Sequence, residues 1–428
     1  MRMTDAMKLS RDQKISVLLG FVTIGFAAIA IFYYWRGMVM AMPFPDNTFL
    51  PSPVSRFGDY FGTVGPWHLE HFKGIGYAFS YFPATYLLVD AFSLLFGVMP
   101  GDGLTALTLS VYVFDGIFCG FLFFFAYRGL KSDWAPESIA RACICVLMTY
   151  PALFTLATAN FEGLLFVALA LFLYFYQSGR VRLSLPFLAI AIAMKLVPGV
   201  FIVLLAADKR YKEILYVGLW AAFFTLLPLM IFPGGLRDGV LPYLSRLAAS
   251  QKMYFDLMVV QRSGNHFGHS LLNGLRVLLG HTELLTKTVL RSYLALTLVG
   301  FAALSYYIVR IEQVFWKRVA LLVCAMCLLP YTSTDYKLLH FFVPIFLFVN
   351  HPRPERYDML YAVLFGLLLI PKSYVKFHGL DFYNTNVVLN TAAMLVMVGV
   401  IVGTGLRARS SSLRAAPSDS CSRMQTSG

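Results

Sequence analysis

Long apolar runs separated by short polar segments make up almost the whole chain. A helix needs about 20 apolar residues to cross a bilayer, and its backbone polar groups must be satisfied within the helix. The pattern therefore predicts an all-α, polytopic integral membrane protein with about ten spanning helices. The predicted crossings are residues 15–35, 104–127, 139–157, 162–177, 213–232, 286–309, 319–332, 338–350, 358–371 and 384–406.

Two further apolar runs are expected to be interfacial or re-entrant. If residues 78–98 crossed the membrane, the basic loop 128–141 would fall outside, against the preference of Lys and Arg for the cytoplasm. Residues 184–206 have basic residues on both sides and are interrupted by Lys195 and Pro198. Because proline removes a backbone donor, this run predicts a broken, partly re-entrant hairpin.

Positive charge also predicts the orientation of the chain. The basic residues 1–14 place the N-terminus in the cytoplasm, so residues 36–103 and 233–285 become external loops. Residues 15–406 then form a single transmembrane domain in the inner (plasma) membrane, with its polar loops facing outside. The tail, residues 407–428, is rich in Ser and Arg and is expected to be disordered in the cytoplasm.

Composition narrows the classes of function. Apolar residues are 58% of the chain and charged residues 13%, and no segment has the composition of a soluble catalytic domain. The excess of 35 Lys and Arg over 22 Asp and Glu suits anionic lipid headgroups or phosphate ligands. No zinc-finger, RNA-binding or basic-helix pattern accompanies this charge, so no nucleic-acid partner is expected.

The first external loop contains the carboxylate of greatest interest. Asp59 lies between two glycines, which permit close approach of backbone or ligand. We interpret Asp59 as a general base; a helix cap and an ion site are the alternatives. The pattern His68-x-Glu70-His71 could cap an interfacial helix or form part of a metal site. It lacks a further ligand, so a divalent metal is not favoured and no cofactor is expected.

Polar residues of the other external turns are candidate contacts for a donor phosphate or substrate. Asn160 and Glu162 lie at a helix end, where capping is the alternative. Lys337 could instead pair with Asp335, and Lys195 could extend to the membrane surface. The candidate binding residues are Tyr81, Asn160, Glu162, Lys195, Arg262, Asn265, His266, His269 and Lys337.

Short motifs follow one another in a particular order across most of residues 15–350. They are Asp59, Tyr81-Phe82-Pro83, Ala193-Met194-Lys195-Leu196-Val197-Pro198 before the basic loop 209–212, and Gly264-Asn265-His266-Phe267-Gly268-His269-Ser270 before a Leu-rich segment. In these motifs the chain resembles glycosyltransferase family 87 of the C-type superfamily, which includes polyprenol-phosphate-mannose-dependent α-mannosyltransferases. Two turns differ from the family pattern. Asn160-Phe161-Glu162-Gly163 replaces Gly-Gln-x-Asn, and residues 333–337 replace a turn containing Trp or His.

The resemblance implies transfer of a sugar from a polyprenyl phosphate to a glycan or glycolipid acceptor, with membrane lipids as surroundings. The polar inventory agrees with this chemistry, because inversion needs one carboxylate as base and cations for the leaving phosphate. A nucleotide-sugar enzyme would need a cytosolic Rossmann-like domain, for which the chain has no room. The alternatives are a transporter or flippase of lipid-linked glycans, and a polymerase or ligase of surface polysaccharide.

Overall fold

The computed structural model describes residues 8–39, 57–70, 81–98, 103–231, 235–260, 268–279, 286–372 and 385–414. Within these ranges the regular secondary structure is helical, apart from one isolated β-bridge between Gly268 and Thr334. The helices are α1 (Arg11–Met38), α2 (Gly58–Glu70), α3 (Pro83–Val98), α4 (Gly103–Gly129), α5 (Ala135–Leu147), α6 (Tyr150–Thr158), α7 (Glu162–Gln177), α8 (Val181–Met194), α9 (Ile202–Ala207), α10 (Tyr211–Ile231), α11 (Gly235–Phe255), α12 (Leu271–Leu279), α13 (Lys287–Arg310), α14 (Phe315–Leu328), α15 (Phe342–Val349), α16 (Asp358–Leu369) and α17 (Thr385–Arg414). The 3₁₀ segments Val197–Phe201 and Asp335–Phe341 and the π-helical turn Asp256–Val260 complete the described secondary structure.

The helical, polytopic membrane fold predicted from the sequence is confirmed. Of the described helices, α1, α4, α10, α13 and α17 are the five that are long and apolar enough to cross a membrane. Helices α5 and α6, bent by 58° at a short break, supply a sixth crossing when they are taken together. Other expected crossings are shorter apolar helices of 10–17 residues, such as α7 and α16.

The run 184–206 is interrupted where the sequence predicted it. Helix α8 ends at Met194, and Lys195 has an extended backbone with φ −161° and ψ 130°. The chain then continues as the 3₁₀ segment Val197–Phe201, with Pro198 in its first turn. This break releases Lys195 from the regular helix and places it beside polar residues of other helices.

Helix boundaries differ from the predicted ones in several places. The run 338–350 is not one helix, because the 3₁₀ segment Asp335–Phe341 precedes α15. Helix α17 continues to Arg414, past the predicted tail boundary at residue 406, since Leu, Ala and Arg in this stretch are good helix formers. Residues 415–428 lie outside the described part of the chain.

Helices α1 and α16 pack closely because glycines lie at their contact. A Cβ atom on Gly25 would lie 2.6 Å from the Ile370 side chain, and one on Gly366 would lie 2.9 Å from the Phe21 side chain. Both distances are below van der Waals contact, so either glycine allows an approach that alanine would prevent.

Ion pairs hold together the end of the bundle where α1, α14 and α16 begin, which we call the ion-pair end. Lys14 lies 3.3 Å from Asp358, with both side chains 1% exposed, and 4.6 Å above the ring of Phe348. Arg318 pairs at 3.0 Å with Asp208, whose side chain is exposed. Removing one partner of the Lys14–Asp358 pair would leave an uncompensated buried charge, so that pair fixes the start of α1 against the start of α16.

The opposite end, which we call the Asp59 end, gathers the polar residues. The start of α2, the turn between α6 and α7, the end of α8 and the 3₁₀ segment Asp335–Phe341 meet there. Helix α7 starts at this end with Glu162 and finishes near the ion-pair end, where Tyr176 donates a hydrogen bond to Asp208. Its 16 residues separate the two ends by about 24 Å.

Candidate active site

Asp59 lies in the first turn of α2 and is half-buried. Phe57, just before this helix, has a left-handed backbone (φ 56°), which costs a residue with a side chain about 1–2 kcal/mol. Its N–H donates to the Ala157 carbonyl at 2.8 Å and so joins the start of α2 to α6. In this arrangement Asn160 Nδ2 donates to Asp59 Oδ2 at 2.6 Å.

Asn160 connects Asp59 to the next helix. Ala159 ends α6 in a left-handed conformation (φ 49°) and turns the chain toward α7. Asn160 Oδ1 accepts the backbone N–H of Glu162 at 2.8 Å and the Tyr81 hydroxyl at 3.4 Å, while its amide nitrogen donates to Asp59. The amide therefore forms an Asx turn that satisfies the first backbone N–H of α7, and it also orients the Asp59 carboxylate.

Glu162 joins two cationic or protonatable partners from distant parts of the chain. Its carboxylate accepts from Lys195 Nζ at 2.7 Å and lies 2.9 Å from His340 Nε2. Its side chain is 1% exposed, whereas that of Lys195 is 25% exposed. The Lys195 ammonium also lies 5.5 Å from the centre of the Tyr336 ring. Lys195 is therefore an accessible cation whose position is fixed by Glu162 and Tyr336, and its side chain does not extend to the membrane surface as the alternative interpretation proposed.

Lys337 lies close to this group without an acidic partner within ion-pair distance in the described structure. It is 4% exposed, and its Nζ donates to the Thr332 carbonyl at 3.4 Å instead of pairing with Asp335. Burial lowers the pKa of Lys337 to about 8, and the charge of Lys195 acts in the same direction. An under-compensated cation of this kind is suited to an anionic ligand.

His269 belongs to a buried cluster behind these residues. Its ring Nδ1 lies 3.0 Å from Asp335 Oδ1, and the Tyr150 hydroxyl donates to Asp335 Oδ2 at 2.5 Å. The backbone N–H of His269 donates to the Ser333 carbonyl at 2.8 Å. Burial lowers the pKa of His269, which favours a neutral ring that donates to the carboxylate. Since His269 and Asp335 are 0% exposed, the geometry favours positioning of residues 333–337 over the donor contact predicted from the sequence.

Replacing His269 with alanine is expected to destabilise the fold by about 1–3 kcal/mol, because a buried Asp335 oxygen would lose its partner. The unfolding temperature of the purified protein in detergent measures this effect. His351→Ala, which removes a partly exposed histidine at the ion-pair end, is the matched control and should change stability by no more than about 0.5 kcal/mol. Equal stability of the two variants would contradict the positioning role.

Several predicted residues lie outside the described part of the chain, and their roles stay predictions. Among the described residues, no three His, Cys, Asp or Glu side chains are grouped so that they could hold a metal ion. The residues outside the description are Arg262, Asn265, His266 and His71, together with the side chains of His68 and Glu70.

The structure adds residues that sequence reasoning missed. His340 contacts Glu162, and Tyr336 lies over Lys195 and forms a hydrogen bond with Tyr254. His340 follows Lys337 by three residues inside an apolar run, a spacing that places both on one side of a helical segment. A histidine inside an apolar run was the signal in the sequence that could have identified His340 as a residue of this site.

The surroundings of Asp59 increase its basicity. Burial raises the pKa of the Asp59 carboxyl, while hydrogen bonds from Asn160 and Thr158 and the charge of Lys195 act in the opposite direction. Within the described structure Asp59 forms no ion pair. A carboxylate that is oriented by an amide and partly desolvated is suited to accept a proton.

Comparison with protein families adds an independent observation. The sequence model of glycosyltransferase family 87 matches residues 79–330, which is more than half of the chain. The matched range contains Tyr81, Asn160, Glu162 and Lys195, whereas Asp59 precedes it. Searches of the curated proteins and of the solved structures find no significant match. The family match covers most of the helices that build the Asp59 end, and the chain therefore belongs to glycosyltransferase family 87 and is a membrane glycosyltransferase.

Proposed function

We propose that this glycosyltransferase moves a sugar, mannose or another hexose or pentose, from a polyprenyl-phosphate donor to a hydroxyl of a glycan or glycolipid acceptor. The observation that carries the proposal is the Asp59 carboxylate, which Asn160 orients beside the accessible Lys195 cation at one end of the helical bundle. This end offers a base and a phosphate-binding cation together, which are the two groups that the reaction needs.

Asp59 acts as the general base of an inverting displacement. The acceptor oxygen attacks the anomeric carbon from the face opposite the phosphate, and a new C–O bond forms as the bond to the phosphate oxygen breaks. The acceptor proton passes to Asp59, and the electron pair of the broken bond leaves on the polyprenyl phosphate. The leaving phosphate needs no second acid, because a phosphate monoester is a stable anion.

Lys195 stabilises the leaving phosphate. Glu162 and the Tyr336 ring hold its ammonium, while 25% of the side-chain surface stays exposed. The next residue, Leu196, is 60% exposed and apolar, so a polyprenyl chain has an apolar surface beside the phosphate-binding cation. The donor enters laterally from the bilayer, and Lys337 adds positive potential behind the site.

A transporter of lipid-linked glycans is the alternative from another class. Transport needs a polar path across the membrane, yet fully buried aromatic side chains, among them Phe118, Phe166 and Phe172, fill the described core between the Asp59 end and the ion-pair end. This packed aromatic core supports a glycosyltransferase over a transporter. A polymerase or ligase of surface polysaccharide shares the external site and the lipid donor, and differs in its acceptor.

Transfer of radiolabel tests the proposed function. Membranes containing the protein are supplied with a panel of polyprenyl-phosphate sugars, and membranes with the Asp59→Asn variant at equal expression serve as the control. We expect label to enter a glycan or glycolipid from one of these donors only with the parent protein. Label that crosses into the vesicle interior while still attached to its lipid would support the transporter instead.

The active site is proposed to face the external side. Helix α3 has 16 residues and is about 24 Å long, which is short for a hydrocarbon core of about 30 Å, whereas α4 is a full-length span. A reporter fused after Gly103 should therefore read as external, and one after Ser132 as cytoplasmic. A third fusion after Gly179, between α7 and α8, should agree with Ser132. A cytoplasmic reading at Gly103 would contradict this orientation.

A further inference from the structure

An apolar groove lies toward the ion-pair end, between α4, α7, α14 and α15. Its volume is about 590 Å³, within the range of small-molecule pockets. Phe121 and Phe125 of α4, Leu171 of α7 and Phe346 of α15 form its walls. Phe124, also on its wall, is 60% exposed, so the groove opens on the outer surface of the bundle. In a membrane such a surface faces lipid.

One end of the groove is cationic. Arg128, in the last turn of α4, is exposed and forms no ion pair or hydrogen bond within the described structure. Arg11 lies beside it, donating to Gly129 O at 3.5 Å and to Asn350 Oδ1 at 2.9 Å. Asp12 lies 3.7 Å from Arg11 and is 75% exposed, so it compensates this charge only weakly.

We propose that this groove binds an anionic phospholipid from the leaflet opposite the active site. One acyl chain lies among the aromatic side chains of the groove, and the headgroup phosphate binds Arg128. The two features suit an amphiphile, because most of the lining is apolar and the polar residues Arg128, Gln177, Asn350 and His351 lie toward the ion-pair end. Phosphate matches the guanidinium of Arg128, which can donate two parallel hydrogen bonds to it.

The sugar donor fits the groove less well than a phospholipid does. The sugar donor must place its phosphate at the Asp59 end, about 24 Å away along the 16 residues of α7. A phospholipid meets this constraint, since its headgroup stays at the membrane surface near the ion-pair end.

Lipid binding to the purified full-length protein tests the proposal. The protein is equilibrated with palmitoyl-oleoyl phosphatidylglycerol or phosphatidylcholine, and the bound lipid is counted by native mass spectrometry. We expect the anionic lipid to bind about fivefold more tightly, as one arginine near a charged headgroup provides. Equal binding of the two lipids to the parent protein would overturn the proposal without any variant.

Three variants locate the site. Arg128→Gln should remove the preference for the anionic lipid, whereas Arg182→Gln, which changes an exposed arginine of α8 away from the groove, should retain it. Leu171→Trp should fill the groove and lower the occupancy of both lipids. A preference that survives Arg128→Gln, or a co-purified polyprenyl phosphate that is lost on Leu171→Trp, would contradict the assignment.

Discussion

Replacing Asp59 with asparagine should lower sugar transfer by about 10²–10⁴-fold, the usual effect of losing a general base. Asparagine keeps the volume of the side chain and an oxygen that can accept the hydrogen bond from Asn160 Nδ2. The variant should therefore insert, fold and bind the lipid donor like the parent protein. Transfer of label from the lipid donor, measured at equal protein amounts, gives the rate.

Three outcomes separate the roles that Asp59 can have. If it only interacts with the N-terminus of α2, asparagine should cost tenths of a kcal/mol and preserve activity. If it binds a metal, a chelator should abolish the parental activity. Near-parental transfer by a folded Asp59→Asn variant, with no chelator effect, would falsify the assignment and make Glu70 the next carboxylate to test.

The pH profile provides a further readout of the same residue. Burial raises the pKa of Asp59 above the ordinary value of 3.8, and the base works only when it is deprotonated. Parental activity should therefore fall as the pH is lowered through this raised pKa. The residual activity of Asp59→Asn should lack that decline.

Loss of the Lys195 charge should have the second largest effect. Hydrogen bonds to charged groups contribute about 1.5–3 kcal/mol, so Lys195→Met should lower kcat/KM for the donor by about 10- to 100-fold. The substitution alone also leaves Glu162 buried without its cation, which costs stability. The double variant Lys195→Met with Glu162→Gln removes both charges and separates the loss of donor use from misfolding.

A matched pair at the other end of the bundle provides the control. Lys317 forms an ion pair with Glu355, and its side chain is 9% exposed. Lys317→Met with Glu355→Gln should therefore have a similar effect on folding and none on donor use. Equal kinetic losses in the two double variants, or unchanged donor KM and kcat after the Lys195 change, would return Lys195 to a structural role.

The amino-acid sequence by itself determined the class of the protein and the local breaks in its helices. The length of apolar runs predicts membrane helices, and Lys195 with Pro198 predicts the interruption after α8 that the structure contains. These features depend on neighbouring residues, since hydrophobic length and the missing N–H of proline act locally. The same local pattern did not reveal that α15 begins only after a 3₁₀ segment.

Only the tertiary structure decided which polar residues meet. Asp59 and Asn160 are 101 positions apart, and Glu162 and His340 are 178 positions apart. Their contacts depend on the rotation and order of packed helices, which apolar patterns along one segment do not specify. The sequence predicted that His269 contacts the donor, but His269 lies in the buried cluster with Asp335. The exposure of a side chain is decided by the elements that pack over it, and these come from distant parts of the chain.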